Sequence, residues 1–326
     1  MTEPSIAAEA AKTAVARRIL FIGGTPRGQR VFDLLLRRGI VPVATYVLAE
    51  DDHEPLRASV EIDAIAGNHA IPVKICKRIT ADDLAVIRDT YLPDLILVVG
   101  WRTILPAALY ELPVFGCVGV HDSPLPRYRG FAPPNWAIIN GEQEWGVTLM
   151  HIAAGVDEGD IIGQKVFPVP DRATAPELHE LIISATVALI DEQLDGLLTG
   201  VAPRIAQDHT RATYACARNP DDGEIDWRQG TTEIDRLIRG LTYPYPGAWT
   251  TWRGQKLKVW DAEPIDPPPL YVGRIPGRVV AFNDETTDVL TGDGVLRLRT
   301  VELQGGGRKP AGAVLRSVKS SLGKLA

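Results

Sequence analysis

The run Asp94-Leu95-Ile96-Leu97-Val98-Val99-Gly100 constrains the fold more than any other stretch of the chain. It is too short for a buried helix and lacks the alternation of a strand with one wet face. A strand covered on both faces has this signature, and parallel sheets are where such strands occur. The surrounding pattern agrees. Arg18 to Gly23 reads as a first strand, Gly23-Gly24-Thr25-Pro26 as a turn, and Gly28 to Arg38 as a helix with Val31, Leu34 and Leu35 inward. Further strands are expected at Val41–Leu48 and Ile71–Ile75. Thr80-Ala81-Asp82-Asp83 has the form of a capping box and opens a helix carrying Leu84 and Ile87. Thr174-Ala175-Pro176-Glu177 caps a long helix with Leu178, Leu181, Ile182, Ala185 and Leu189 on one face, and Gly200 ends it. Strands alternating with helices imply an α/β fold, Rossmann-like, with a doubly wound parallel sheet.

The pattern changes after that helix. Val201 to Asp226 has turn residues and little periodicity. From Lys256 onward come short strand candidates at Leu257–Trp260, Gly277–Val280, Thr286–Leu290 and Val295–Arg299, a rhythm that suits a small, OB-like β-barrel. A chain of 326 residues has room for two domains. The expected division is a disordered extension over 1–16, an α/β domain over 17–200, a linker over 201–226 and a barrel over 227–326.

Net charge is −6 and no long run of Lys or Arg occurs, which argues against a nucleic-acid partner. Cys76, Cys117 and Cys216 lie far apart with no metal-type spacing, as expected of small buried residues in a reducing compartment. No apolar run is long enough to span a membrane, and the Ala-rich N-terminus with Glu3 and Glu9 lacks the pattern of a signal peptide. A cytoplasmic protein is expected.

Chemistry concentrates in Val118-Gly119-Val120-His121-Asp122-Ser123-Pro124 and in Gly155-Val156-Asp157-Glu158-Gly159. A short strand ending in His, followed by Pro and Gly turns, puts an imidazole at a strand tip. Asp157, in a second Gly-bounded loop, is expected to orient it and raise its pKa, the pairing general acid–base catalysis uses. Asp122, Ser123, Arg127 and Arg129 crowd the same loop. A metal set of His121, His151 and Asp157 lacks ligand spacing, so no metal is expected. Ser123 lacks the elbow of a nucleophilic serine. Gly23 to Gly28 reads as a plain βα turn, since the dinucleotide spacing and the P-loop Lys are absent. Trp101-Arg102-Thr103-Ile104-Leu105 follows the apolar strand and is placed to wall a pocket for a flat heterocycle.

The run from His121 through Arg129-Gly-Phe-Ala-Pro-Pro-Asn-Trp to Glu142, then Gly146-Val-Thr-Leu149 and Asp157-Glu-Gly-Asp-Ile161, resembles the 10-formyltetrahydrofolate-dependent formyltransferases. Gly223-Glu-Ile-Asp-Trp227, Tyr245-Pro-Gly-Ala248 and Val301-Glu-Leu-Gln304 resemble that family's C-terminal domain, so the likeness covers nearly the whole chain. It implies a transferase using 10-formyltetrahydrofolate as cosubstrate, in which an amine attacks the formyl carbon. His121 and Asp157 match two members of the family's Asn–His–Asp set. The folate pocket maps onto Trp101, Arg102, Ile104, Leu105, Val156 and Asp157, and Ser123, Arg129 and Thr148 are expected around the substrate. One departure stands out: Gly119 occupies the position of the Asn whose amide serves the oxyanion. Hydrolysis of formyl-folate, or folate binding without catalysis, therefore stays open beside transfer.

The methionyl-tRNA members carry a basic insertion after the second strand; here the stretch is Glu50-Asp51-Asp52-His53-Glu54-Pro55. Acidic residues there repel phosphate. The phrase from Asn135 to Glu142 resembles relatives acting on nucleotide-linked amino sugars or on small amines such as hydroxyornithine. The expected partner is thus a small-molecule amine, led by the amino sugar, with methionyl-tRNA as the alternative. No membrane partner is expected, and a homodimer is left open.

Overall fold

The computed structural model describes residues 18–51 and 57–323. The extension expected over 1–16, and Asp52 to Pro55 of the acidic stretch, lie outside the described residues.

A seven-stranded sheet runs in the order β3-β2-β1-β4-β5-β7-β8. Its strands are β1 (Ile19–Gly23), β2 (Ala44–Leu48), β3 (Val73–Cys76), β4 (Leu95–Val99), β5 (Cys117–His121), β7 (Glu144–His151) and β8 (Ile161–Pro168), with β6 (Arg129–Gly130) in a separate two-stranded pair. Pairing is parallel from β3 to β5, and β7 then joins β5 antiparallel. Every residue of β1, β2 and β4 is buried, which explains their uninterrupted apolar character. Helices cover both faces. Helix α1 (Thr25–Arg37) stacks Phe32 on Phe21 at 5.2 Å. On the other face Ile87 packs with Leu20, Ile22, Ile96 and Val98. The sheet is therefore doubly wound, and the strand order reverses between β1 and β4.

Helix α2 (Ala58–Asn68) bridges β2 and β3; α3 (Ala81–Val86) starts at the expected capping box, with Thr80 and Asp83 bonded both ways. Short α4 (Ala107–Tyr110) and α5 (Pro133–Asn140) precede α6 (Ala175–Thr199), where Glu177 bonds the Thr174 amide at 2.8 Å. Helix α1 begins three residues before its expected start because Pro26 fits the first turn of a helix.

The chain clusters into two compact units. The parallel sheet lies in one, formed by the chain up to Gly130, Trp145–Phe167 and Glu180–Tyr214. The other gathers Phe131–Glu144, Pro168–His179 and the chain from Ala215 onward, so the grouping does not follow a single cut. The second unit contains α7 (Thr231–Leu241) and an antiparallel sheet of β10 (Ala248–Trp252), β11 (Gln255–Pro264), β12 (Val279–Phe282), β13 (Thr287–Leu290), β14 (Val295–Leu303) and β15 (Arg308–Pro310); β9 is the short strand Tyr214–Ala215. The order β10-β11-β14-β13-β12, with β15 on β14, is an antiparallel sheet, and among the described residues no ladder joins β10 to β12. Helix α7, absent from the sequence reading, buries Ile234, Ile238 and Leu241 against Leu257, Val259 and Leu298. The signal was present as apolar residues at helical spacing inside a stretch read as barrel.

Candidate active site

Ile22, Val98 and Gly119 lie abreast on β1, β4 and β5, so the ends of three parallel strands form one edge. His121 is the last residue of β5 and sits on the same face as Gly119, since side chains alternate along a strand. This is the carboxyl edge beside the point where strand order reverses, where open α/β sheets hold ligands.

The structure brings His121 and Asp157 together: Nδ1 lies 3.4 Å from the Asp157 carboxylate, with both side chains at most 15% exposed. The other ring nitrogen, Nε2, lies 2.8 Å from the Tyr128 carbonyl. The Tyr128 carbonyl and the Asp157 carboxylate both only accept, so the neutral ring donates to one of them and the charged ring to both. Asp157 is held in turn by the Gly130 amide, which donates to its Oδ2 at 2.8 Å, and by Gln207, which donates to its carbonyl at 2.9 Å. Asp157 adopts φ 56° and Tyr128 φ 57°, left-handed conformations that non-glycine residues adopt only when the surroundings hold them.

Asp157 raises the His121 pKa as expected, but burial outweighs it. Burial pushes the imidazole below the ordinary histidine value; the Asp157 carboxylate and the Tyr128 carbonyl oppose this, and the Arg27 guanidinium adds to it. The resting ring is neutral near pH 7, as a base requires.

Ser123, Thr148 and Arg129, expected around the substrate, are buried and bonded within the loops beside His121. Ser123 and Thr148 are fully buried. Ser123 donates to the Arg127 carbonyl at 2.6 Å, and Thr148 joins the Ser123 carbonyl, the Leu125 amide and Gln164. These hydroxyls are spent on the loop after β5. Arg129, 1% exposed, binds Glu158 at 3.1 Å and Gln207 at 2.7 Å. It straps the Asp157 loop to the segment read as a linker. Gln207 itself left no sequence signal, because a lone Gln in an aperiodic stretch carries none.

Of the expected folate-pocket residues, Ile104 and Val156 are exposed apolar side chains, Arg102 is exposed, Leu105 is buried and Trp101 is half-buried. The Trp101 Nε1–H is buried and has no acceptor among the described residues. At Gly119 a Cβ would sit 3.2 Å from Cδ1 of Ile152, so that side chain fills the direction a side chain at 119 would take. The metal set is not assembled: His151 pairs with Val118 in the β5–β7 register, on the face opposite His121, and contacts the Pro203 carbonyl. Arg27, in a turn read as plain, is buried and ion-paired with Asp122.

Comparison with known proteins gives this geometry a lineage. A family model described as formyl transferase matches residues 17–195, and one described as formyl transferase, C-terminal domain, matches 218–319. The methionyl-tRNA formyltransferase of Geobacter metallireducens is 39% identical over 245 residues, 75% of this chain and 76% of that protein. That of Halalkalibacterium halodurans is 35% identical over 296 residues, 90% and 91% of the two chains. The N-formyltransferase from Helicobacter canadensis, solved with folinic acid and dTDP-3-aminofucose, shares the fold with TM-score 0.66 at 19% identity, covering 86% of this chain and 98% of that one. The chain belongs to the formyl transferase family.

Proposed function

We propose that the protein transfers a formyl group from 10-formyltetrahydrofolate to the primary amine of a small molecule, a nucleotide-linked amino sugar ahead of an amino-acid amine such as hydroxyornithine. The observation that carries the chemistry is the buried contact between His121 Nδ1 and Asp157 at the carboxyl edge of the sheet. The donor supplies a formyl carbon whose bond to folate N10 breaks as the amine nitrogen joins it. His121 takes the amine proton and delivers it to the departing folate N10, and Asp157 stabilises the imidazolium in between. Burial keeps the ring neutral until that moment. Trp101, Arg102, Ile104, Leu105 and Val156 hold the donor; the fit is supported by the buried, acceptorless Trp101 Nε1–H, which suits a heterocycle carbonyl. The reading also keeps 17–200 as the catalytic domain, 201–226 as linker and 227–326 as an OB-like C-terminal domain; the family matches over 17–195 and 218–319 support a division in two, the second match beginning inside the segment read as linker.

The small-amine choice is supported by the connection between β2 and α2. It carries Glu50 and Asp51, and no basic insertion interrupts it. Methionyl-tRNA is the second reading, favoured by the curated relatives and by cations stacked on aromatic rings in the C-terminal unit, with Lys256 3.8 Å from the Trp249 ring and Arg308 4.1 Å from the Trp260 ring. Incubation with carbon-13-formyl donor, a panel of amines and charged initiator tRNA, followed by mass spectrometry, tests both. A formyl mass on an amino sugar or amino acid is expected. Label confined to the tRNA establishes the second reading, and label released as formate without an acceptor means hydrolysis.

A further inference from the structure

We propose that the ion pair between Arg27 and Asp122 is a positioning element of this site, clamping the tip of β5 and holding a fixed cation against His121 in opposition to Asp157. The inference rests on the reading of His121 as the proton acceptor.

The clamp is built by close packing. A Cβ at Gly23 would meet the Val99 carbonyl oxygen at 2.4 Å, one at Gly28 the same oxygen at 2.8 Å, and one at Gly24 the Leu48 Cβ at 2.7 Å. Glycine at these positions lets the first turn of α1 settle directly onto the ends of β2 and β4, and the Gly24 amide bonds the Val99 carbonyl at 3.1 Å. Arg27, in that turn, is thereby carried to the strand tips, where it is 8% exposed and pairs with Asp122. Asp122 follows His121 directly, and its carbonyl accepts from Trp145 Nε1 at 2.9 Å. The residue next to the base is thus held both by its side chain and by its backbone.

A buried ion pair adds little net stability compared with a packed apolar pair, so its worth here is in geometry and field. The groups in contact with the ring are Asp157 from the β7–β8 loop and the Tyr128 carbonyl from the loop after β5; Arg27 from α1, paired with Asp122 next to His121 in the chain, acts on the ring through its charge. Asp157 draws a proton onto the ring and Arg27 pushes it off. The pair keeps His121 a base at rest while Asp157 stabilises it once charged.

The test is the pH dependence of kcat and kcat/KM for wild type, Arg27→Lys, Arg27→Gln, Asp122→Asn and the exchange Arg27→Asp/Asp122→Arg. In Arg27→Gln the acid limb moves to higher pH and kcat falls up to about 10²-fold, with KM for the folate donor little changed. Arg27→Lys keeps the limb, and the exchange recovers part of the rate. Asp122→Asn bares the cation, so its limb moves to lower pH; this variant carries the test should Arg27→Gln fail to fold. An acid limb that stays at the wild-type position in Arg27→Gln and Asp122→Asn, whatever happens to thermal stability, overturns the proposal. His121→Asn separates the two claims. If it stays active, the reading of His121 fails; if it is inactive while the Arg27 and Asp122 limbs stay put, only the clamp fails.

Discussion

The cations around the candidate site of the first unit and those on the aromatic surface of the second are held in opposite ways. In the parallel-sheet unit Arg27 and Arg129 are buried and paired with Asp122 and Glu158. In the C-terminal unit Lys256, Lys258 and Arg308 lie over the rings of Trp249, Trp260 and Tyr243. The difference is one of dielectric. A charge out of water acts strongly on its neighbours and biases a proton, whereas an exposed cation on a ring is worth about 0.5–1 kcal/mol and is screened by salt. The first arrangement suits chemistry and the second suits a surface.

The largest effect expected is at the base. His121→Asn should lower turnover about 10²–10⁴-fold with unchanged circular dichroism; activity within tenfold of wild type would sink the assignment. The C-terminal unit has one buried carboxylate of comparable consequence, but for stability. Asp235, 3% exposed, is shared by Arg172 at 3.0 Å and Arg239 at 2.8 Å. Asp235→Asn should cost about 1–3 kcal/mol in chemical unfolding, because it leaves Arg239, 15% exposed, without its carboxylate, while Arg172, 42% exposed, stays in contact with water. Turnover at low temperature should survive; parallel loss of both would blur the contrast between the units.

Asp157→Asn should cost about 10²-fold or less, and the sign of its pH effect is fixed. Asp157 raises the His121 pKa against burial, so its removal lets that pKa fall further. The acid limb, where a protonated His121 cannot act, then moves to lower pH, opposite to the Arg27→Gln shift. A limb moving upward would refute the pairing. Gly119→Asn must push against Ile152, an overpacking cost of about 1 kcal/mol seen as a lower melting temperature. Adding Ile152→Ala should restore stability and raise single-turnover rate above wild type, as a supplied oxyanion donor would. The smallest effect is expected on the stacked surface. Lys256→Ala and Lys258→Ala should leave small-amine turnover within about twofold, as surface changes away from a site do; a salt-dependent rise in KM would instead point to a polyanionic acceptor.

Regular elements were legible because their causes are local. The Leu95–Val99 strand needs only its own apolar run, and the α3 start only Thr80 and Asp83 three residues apart. His121 and Asp157 were legible because turn residues frame each of them. The roles of Ser123, Thr148 and Arg129 were not. A polar residue near a catalytic loop looks the same on paper whether it faces a ligand or is spent, as here, on carbonyls and carboxylates inside the loop. The sign of the Asp157 effect on His121 was legible and the net direction was not, since charge partners show in a sequence and burial depth does not.

Uninterrupted apolar strands alternating with helices, and Gly-bounded polar runs, read from the chain alone, determined a doubly wound sheet and singled out His121 and Asp157. Folding decided which long side chains meet. Arg27 with Asp122, Arg129 with Gln207 and Ile152 against Gly119 join segments far apart in sequence. Such pairs leave no periodic trace, because what selects them is the exclusion of water around a charge or the filling of a particular volume, and both exist only once the strands lie side by side.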